Sequence, residues 1–190
     1  MSIDTAFTHF PVLTTSRLHL RQIRPEDAEA FFAIKSDQDV ADSYAQAPHQ
    51  TLDDTRALIQ RIQGYYDQRD SIFWSITLQG EDTLIGACSL WNFDSDFNCA
   101  EIGYELHQAY WGRGVMSEAL SAILTCGFTE LALHRIEATP YARNTRSSTL
   151  LLKLGFTLEG TLRQRHFYHG HFDDQLYFGL LEDEWVKAAR

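Results

Sequence analysis

The stretch AEIGYELHQAYWGRGVMSEAL, residues 100–120, places a strand, a glycine-rich turn and the first turn of a helix in succession. Gly112 and Gly114 allow a tight turn and a close approach of a ligand to the backbone. The N–H groups of such a turn converge on an anion, and the helix dipole adds a favourable potential. The stretch therefore indicates a phosphate or pyrophosphate site, to which Arg113 would add charge and Ser117 a hydroxyl donor. A tight turn without a ligand is the alternative.

Two other phosphate-binding motifs fit this stretch less well. A P-loop requires a Gly-Lys pair, which does not occur in the sequence. A dinucleotide-binding GxGxxG motif would need glycine at the position of Ser117. The surrounding pattern also predicts antiparallel strands, which a purely parallel dinucleotide-binding sheet does not contain.

The hydrophobic pattern on either side of the turn predicts alternating groups of strands and helices. Strands are predicted at residues 17–23, 72–78, 84–91, 99–107, 135–139, 157–168 and 172–181, and helices start at Pro25 and Thr51, cover 115–130 and follow Asn144. The turn near Gly80 makes the second and third strands an antiparallel hairpin, whereas the helix at 115–130 requires a parallel crossover. We expect a single α/β (α+β) domain over residues 1–190, with its core at 14–182. Its sheet would be mixed, mostly antiparallel and of about seven strands, with flanking helices.

The composition restricts the partners of the chain. Its 16 Lys and Arg against 26 Asp and Glu give a formal net charge of −10, which argues against nucleic acid and anionic membranes and favours a cationic substrate. No apolar run reaches the roughly 18 residues of a membrane helix, and the N-terminus lacks the pattern of a signal peptide. Cys88, Cys99 and Cys126 show no CxxC spacing. We therefore expect a cytoplasmic protein with reduced thiols. Its composition predicts disorder at most over residues 1–8.

Two motifs make the chain resemble the GNAT superfamily of N-acetyltransferases. Residues 101–120 resemble its acetyl-CoA signature, a Q/R-x-x-G-x-G/A turn that opens a helix. Gly112 and Gly114 match the glycines, whereas Ala109 stands where Gln or Arg is usual. WGRGVMSEAL and the later NTRSSTLLLKLGFTLEG, residues 144–160, are similar to the RimJ/RimL-like branch, which acetylates the N-termini of ribosomal proteins. The resemblance implies acetyl-CoA (coenzyme A) as cofactor and an acyltransferase activity.

The resemblance also implies where the cofactor binds. The strand before the turn would splay from its central neighbour, so that acetyl-pantetheine inserts between the two strands and pairs with backbone groups of Glu105, Leu106 and His107. The pyrophosphate would bind the amides of Gly112, Arg113, Gly114, Val115, Met116 and Ser117. Asn144 resembles the side chain that contacts the pantetheine or orients the cofactor arm.

Attack of a neutral amine on a thioester requires a proton acceptor and a donor for the oxyanion. Glu101 is the first candidate base, because it lies on the strand that leads to the cofactor. Glu105 is the second, since an even step along a strand places it on the same face. His107 is a third candidate, because imidazole is the side chain suited to proton exchange near neutral pH. The oxyanion donor would be a backbone N–H near Leu106, as the resemblance implies.

Departure of the thiolate leaving group can be assisted by an acid that donates to its sulfur. Many members of the superfamily carry a tyrosine seven residues after the asparagine, where this chain has Leu151. The RimJ/RimL-like branch instead implies Ser147, whose hydroxyl can donate to the sulfur. Tyr141 is a further candidate, and departure without an acid is an alternative because the thiol has a pKa near ~8.5.

His166, His169 and His171 cluster around a turn next to two aspartates. No cysteine is spaced with them as a ligand, so we expect a hairpin that displays histidines and no metal site.

Three functions remain open from the sequence. The first is acetylation of a protein or peptide N-terminus, and the second is acetylation of a small amine such as a polyamine, amino acid or antibiotic. The loops at residues 39–50 and 94–98 would distinguish them, because an open groove favours a peptide and a closed pocket a small amine. A non-catalytic acyl-CoA-binding module is the third, since Ala109 and Leu151 depart from the superfamily pattern. The sequence is compatible with a monomer or a homodimer.

Overall fold

The structure of the protein is a computed structural model that describes residues 6–188. The strands are β1 (Leu13–Thr14), β2 (Leu18–Gln22), β3 (Ser71–Leu78), β4 (Gly86–Asp94), β5 (Cys99–Leu106), β6 (Arg135–Ala138), β7 (Thr157–Tyr168) and β8 (His171–Leu181). The helices are α1 (Ala28–Lys35), α2 (Gln38–Ser43), α3 (Leu52–Asp67), α4 (Val115–Thr125), α5 (Thr145–Lys153) and α6 (Glu182–Ala188).

The strands form one eight-stranded sheet in the order β1-β2-β3-β4-β5-β6-β8-β7. Neighbouring strands are antiparallel except for β5 and β6, which are parallel and are connected through α4. The mixed, mostly antiparallel sheet and its parallel crossover are therefore confirmed. The sequence pattern missed β1, because its two residues are too few for an alternation to show.

The parallel pair β5 and β6 splays apart. Strand β5 pairs with β4 from Glu101 to Leu106, but with β6 only from Cys99 to Glu101, which lies beside Glu137. Beyond this fork the two strands diverge, and a cleft opens along residues 102–106 of β5. The splayed central pair is confirmed, and its position brings the cleft to the turn that precedes α4.

The two faces of the sheet carry different helices. Helices α4 and α5 pack with Cys88 and Ile102 in one core cluster, whereas α1 and α3 pack with Ala87 in another. Because side chains alternate along a strand, Ala100, Ile102 and Leu106 face α4 and α5. Glu101 and Glu105 face the opposite side of the sheet, towards α1 to α3. We call the side of α4 and α5 the α4 face and the opposite side the α1 face.

Several helix boundaries follow from local signals. Thr51 and Asp54 form a reciprocal capping box at the start of α3, as the sequence predicts. Pro25 opens a single 3₁₀ turn that continues into α1. The helix predicted over 115–130 changes at Cys126 into a wider π-helical turn. Helix α2 is short and polar, and no periodic pattern indicated it.

The N-terminal segment is better ordered than expected over its described part. Ala6 is fully buried, and Tyr66 donates a hydrogen bond to its carbonyl at 2.8 Å. The expectation of disorder up to residue 8 is therefore wrong for residues 6–8, while residues 1–5 lie outside the described range. Cys88, Cys99 and Cys126 are free thiols. Within residues 6–188, no helix has the length and apolar character that crossing a membrane requires.

Candidate active site

The turn before α4 presents backbone donors to solvent. Gly112 and Gly114 have φ angles of +72° and +75°, in the left-handed region that strains other residues. A Cβ at Gly112 would meet no described heavy atom within 4 Å, so backbone conformation and not space demands glycine there. The following amides, from Val115 to Ser117, belong to the first turn of α4 and have no acceptor within the helix. The free backbone amides of this turn therefore fit a diphosphate group.

A carboxylate and a guanidinium hold this turn in place. Arg17 donates to the Arg113 carbonyl at 3.1 Å and to Glu118 at 2.6 Å. Glu118 also accepts from Thr15 at 2.6 Å. Partial burial alone would raise the pKa of Glu118, but hydrogen bonds from Thr15 and Arg17 lower it to about 2. Glu118 therefore stays ionised near neutral pH and fixes Arg17 against the turn.

A cleft of about 590 Å³ connects the turn with the splayed strands. Its walls come from α2, β5, the turn and α5, and they include Ser43, Tyr104, Glu105, Leu106, Gly112, Gly114, Val115, Met116, Ser117, Asn144, Arg146, Ser147 and Lys153. Most of the site residues predicted from the sequence thus lie together. Glu101, His107 and Arg113 are not among the residues that line this cleft.

The backbone of β5 offers alternate residues to the cleft. The His107 N–H donates to Ile85 on the β4 side at 2.9 Å, and the His107 carbonyl accepts from Tyr110. Groups of an antiparallel strand point alternately to its two neighbours, so the N–H of Leu106 points to the cleft. The Leu106 carbonyl accepts from Trp111 at 2.8 Å. The Leu106 N–H is thus directed at the cleft, whereas both backbone groups of His107 are used within the fold. Pairing of either residue with the cofactor arm stays a prediction.

Asn144 braces the wall of the cleft. Its Oδ1 accepts the N–H of Ser147 at 3.0 Å and caps α5, while its Nδ2 donates to the Ser43 carbonyl at 2.9 Å. The amide therefore joins α5 to the end of α2. This geometry favours a role in orienting the cleft, and direct contact with the cofactor arm stays a prediction.

Helix α5 adds cations that the sequence reasoning missed. The Arg146 guanidinium lies 4.4 Å from the ring centroid of Trp111, and Lys153 lines the same cleft. The two residues are seven positions apart, a spacing that repeats on one helix face. This spacing was the signal that could have identified them, and both charges suit the phosphates of an anionic ligand.

Glu101 lies at the fork where β5 and β6 part. It is next to Glu137 on β6, and Asn92 lies 3.4 Å from its carboxylate. Partial burial raises the pKa of Glu101, the hydrogen bond from Asn92 lowers it, and the neighbouring Glu137 raises it, with a net rise above the ordinary value. Arg135 pairs with Glu137 at 2.7 Å. Among the described residues, no cation lies within 4 Å of Glu101, so its carboxylate is available to accept a proton.

Glu105 has different surroundings from Glu101. Its carboxylate pairs with Lys35 at 3.0 Å and accepts from Tyr44 at 3.1 Å. The side chains of Lys35 and Glu105 are only 11% and 12% exposed. Burial and the Glu105 charge raise the pKa of Tyr44, which therefore remains a neutral donor. The arrangement favours an anchor between β5 and α1 over a base.

Ser147 lies in the cleft, in the first turn of α5. Its Oγ is 2.6 Å from the hydroxyl of Tyr104 on β5. Tyr141 lies outside the cleft lining, with its ring 4.7 Å from that of His166. Ser147 is thus the better placed of the two predicted hydroxyl donors, and Tyr104 is a site residue that the sequence reasoning missed.

The histidine-bearing hairpin of β7 and β8 reaches across to α2. Tyr168 donates to Asp42 at 2.9 Å and to the Gln46 carbonyl, and His169 lies 3.5 Å from Asp42. His166 is hydrogen-bonded to Gln175 at 3.1 Å. Through these contacts with α2, the hairpin tip closes one end of the α1 face.

Within residues 6–188, no group of three or more His, Cys, Asp or Glu side chains could hold a metal ion.

The chain is similar to known proteins in both sequence and structure. Residues 17–157 match the acetyltransferase (GNAT) domain family. The chain belongs to the GNAT family. It is 37% identical over 169 residues to the N-acetyltransferase YoaA of Bacillus subtilis, covering 88% of this chain and 96% of the relative. The GNAT acetyltransferase of Bacillus anthracis has a similar structure, with a TM-score of 0.81, 29% identity and coverage of 91% of this chain and 99% of that one.

A third relative acts on a named protein. The chain is 27% identical over 190 residues to the [ribosomal protein uS5]-alanine N-acetyltransferase of Escherichia coli, covering 93% of each. Membership of the GNAT family makes this protein an N-acetyltransferase that uses acetyl-CoA. Coenzyme A carries the diphosphate that the turn fits and the extended arm that the cleft fits.

The brace of the GNAT turn allows a direct test. Arg17→Met removes the donor to the Arg113 carbonyl and the cation beside Glu118. We expect acetyl-CoA to bind about fivefold more weakly, because a net hydrogen bond contributes about 1 kcal/mol. Calorimetric titration with acetyl-CoA measures the Kd. Arg56→Met removes an exposed ion pair on α3 and is the matched control. Equal affinity of wild type and Arg17→Met would show that the brace does not act on the turn.

Proposed function

We propose that this GNAT enzyme transfers the acetyl group of acetyl-CoA to the N-terminal amine of a protein or peptide. The observation that carries the proposal is the uncovered α1 face beyond Glu101. Trp91 is 45% exposed, Leu162 44% and Tyr177 37%. Their strand partners place all three on the same face as Glu101. An open face with apolar and aromatic side chains suits a polypeptide better than a small hydrophilic amine.

The chemistry of the base supports the same acceptor. Glu101 is a carboxylate with a raised pKa, which remains a weak base. An α-amino group has a pKa of about 7.7–8.0, compared with about 10.4 for a lysine side chain. The α-ammonium gives up its proton much more readily, so Glu101 is better matched to an N-terminus than to an alkyl amine. The Escherichia coli relative that is named for an alanine of a ribosomal protein fits this class of acceptor.

Two observations favour a second candidate, a small cationic amine. The contact of Tyr168 with Asp42 closes one end of the α1 face, and the formal net charge of −10 attracts cations. A polyamine, an amino acid or a cationic antibiotic would meet these conditions. The two candidates share the donor and the cleft, and they differ only in the surface that holds the acceptor.

A panel of acceptors tests the proposal. Release of free thiol from acetyl-CoA is measured with peptides that begin with alanine, serine or methionine, with the same peptides blocked at the N-terminus, and with small amines. We expect kcat/KM for unblocked peptides to exceed that for small amines at least tenfold, with acetylation of the α-amine seen by mass spectrometry. Trp91→Ala should raise the KM for peptides and leave the KM for acetyl-CoA unchanged. Turnover of small amines alone would overturn the proposal.

A further inference from the structure

Two hydroxyl groups meet in the wall of the cleft. Tyr104 reaches from the α4 face of β5, and its oxygen lies 2.6 Å from Oγ of Ser147 on α5. Both residues line the cleft. Either hydroxyl has the geometry to donate across this contact. The phenol is the more acidic of the two and thus the better donor, so the Ser147 oxygen is assigned as its acceptor.

This direction fixes where the Ser147 hydrogen goes. A serine in the first turns of a helix often donates back to the carbonyl four residues earlier, as Ser148 does to Asn144 at 3.3 Å. Ser147 instead has its oxygen held by Tyr104. Its own hydrogen is left to point into the cleft, where the N-terminal end of α5 also favours negative charge.

We propose that Tyr104 is a positioning residue for acetyl transfer, which orients the Ser147 hydroxyl so that it donates a hydrogen bond to the sulfur of the departing coenzyme A. The inference rests on the acetyl-transfer chemistry and not on the identity of the acceptor. It also accounts for the absence of a tyrosine at position 151, where the fully buried Leu151 supplies no hydroxyl to the cleft.

The step balances without a proton donated by Tyr104. The amine nitrogen bonds to the carbonyl carbon, the C–S bond breaks, and its electron pair goes to sulfur. The ammonium first gives one proton to Glu101, which passes it to water, and the nitrogen loses a second proton by the same route after its attack. Sulfur leaves as a thiolate that Ser147 stabilises, and solvent protonates it later.

The acidity of Tyr104 supports hydrogen bonding over proton transfer. Burial raises the pKa of Tyr104 well above its ordinary value. The thiol has a pKa of only about 8.5, so a proton would not pass from Tyr104 to the thiolate. Tyr104 thus keeps its hydrogen, and its effect is transmitted through Ser147.

Titration of the thiol of bound coenzyme A tests the proposal without any acceptor. The ultraviolet absorbance of the thiolate is followed against pH with saturating coenzyme A, after subtraction of the protein alone. We expect the thiol to ionise at lower pH when bound than when free. Tyr104→Phe should move its pKa up by about one unit, which corresponds to a hydrogen bond to a charged group. Ser147→Ala should raise it at least as much, and the double variant no further.

Steady-state kinetics supply an independent readout, with whichever acceptor wild type turns over fastest. Tyr104→Phe should lower kcat about tenfold and leave the KM for acetyl-CoA within about twofold. Ser147→Thr keeps a hydroxyl and should retain more activity than Ser147→Ala. Tyr66→Phe is the matched control, because it removes another partly buried tyrosine hydroxyl, bound to the Ala6 carbonyl, and should leave kcat unchanged.

Two results would overturn the proposal. One is an unchanged pKa of the bound thiol in folded Tyr104→Phe, as judged by its thermal unfolding. If that variant fails to fold, an unchanged thiol pKa in Ser147→Ala overturns the proposal in the same way. Additive effects of the two substitutions in the double variant would be the other result, because they would mean that Tyr104 does not act through Ser147. A failure of peptide acceptors would leave the titration unaffected, so the two proposals fail separately.

Discussion

Glu101→Gln is expected to lower kcat by about 10²–10⁴-fold, the usual contribution of a general base. Glutamine keeps the size of the side chain and its capacity to accept from Asn92, but it cannot take a proton from the ammonium. The KM for acetyl-CoA should change little, because Glu101 does not line the cleft that fits the cofactor. Thiol release at saturating acetyl-CoA, with the acceptor varied, measures both constants. A loss of less than threefold would place the base elsewhere.

The pH profile gives this prediction a second readout. Burial and the neighbouring Glu137 raise the pKa of Glu101, so kcat/KM should rise with pH through a value above the ordinary carboxylate range. Glu137→Gln removes a negative charge beside Glu101, which lowers the pKa of Glu101 and moves this acid limb to lower pH. Glu159→Gln is the matched control, since Glu159 binds the far side of Arg135 and leaves Glu137 in place. In Glu101→Gln the limb of Glu101 should disappear and leave only that of the acceptor amine, at a pKa of about 7.7–8.0 for an N-terminus.

Local patterns were enough to predict the framework of the enzyme. Alternation along strands and the glycine turn indicated the order of elements, and the helix after Gly114 required the parallel connection that the structure contains. Each of these signals lies within a few residues of the element it describes. The short strand β1 and the short helix α2 escaped because neither is long enough to show a period.

Contacts between distant parts of the chain distinguish the candidate site residues from one another. Such contacts could not be predicted from the sequence pattern. By spacing alone, Glu101 and Glu105 are equivalent carboxylates on one face of β5. Lys35, seventy positions earlier, forms an ion pair with Glu105, whereas Glu137 on the adjacent strand raises the pKa of Glu101. The partnership of Tyr104 with Ser147 likewise spans forty-three positions.

The sequence pattern also did not indicate which backbone groups the fold itself uses. The resemblance implied that backbone groups of His107 pair with the cofactor arm. The structure uses its N–H for the β4 side and its carbonyl for the 3₁₀ turn at Gln108–Tyr110. Whether a strand residue faces its neighbour or a cleft depends on the register between strands, and register becomes visible only when the partner strand is known.

Lys35→Met is expected to lower the free energy of unfolding by about 3–5 kcal/mol, the usual result of breaking a buried ion pair. The substitution removes the cation that lies 3.0 Å from Glu105 and leaves a carboxylate that is only 12% exposed. The hydroxyl of Tyr44 remains as a donor, but it carries no charge. Urea denaturation of the variant and of wild type measures the difference. The exposed pair of Arg56 and Asp53 gives the control, and Arg56→Met should cost less than about 1 kcal/mol.

A second substitution separates anchoring from catalysis at this position. Combining Lys35→Met with Glu105→Gln removes the stranded charge, so most of the lost stability should return, because replacing both partners of a buried pair is often close to neutral. If Glu105 is only an anchor, folded Glu105→Gln should keep kcat within about tenfold of wild type and retain the acid limb of the pH profile. A base at this position would instead cost about 10²-fold or more and abolish the limb. A Lys35→Met variant as stable as wild type would mean that solvent already screens the pair, and the ion pair would then no longer favour an anchor over a base at Glu105.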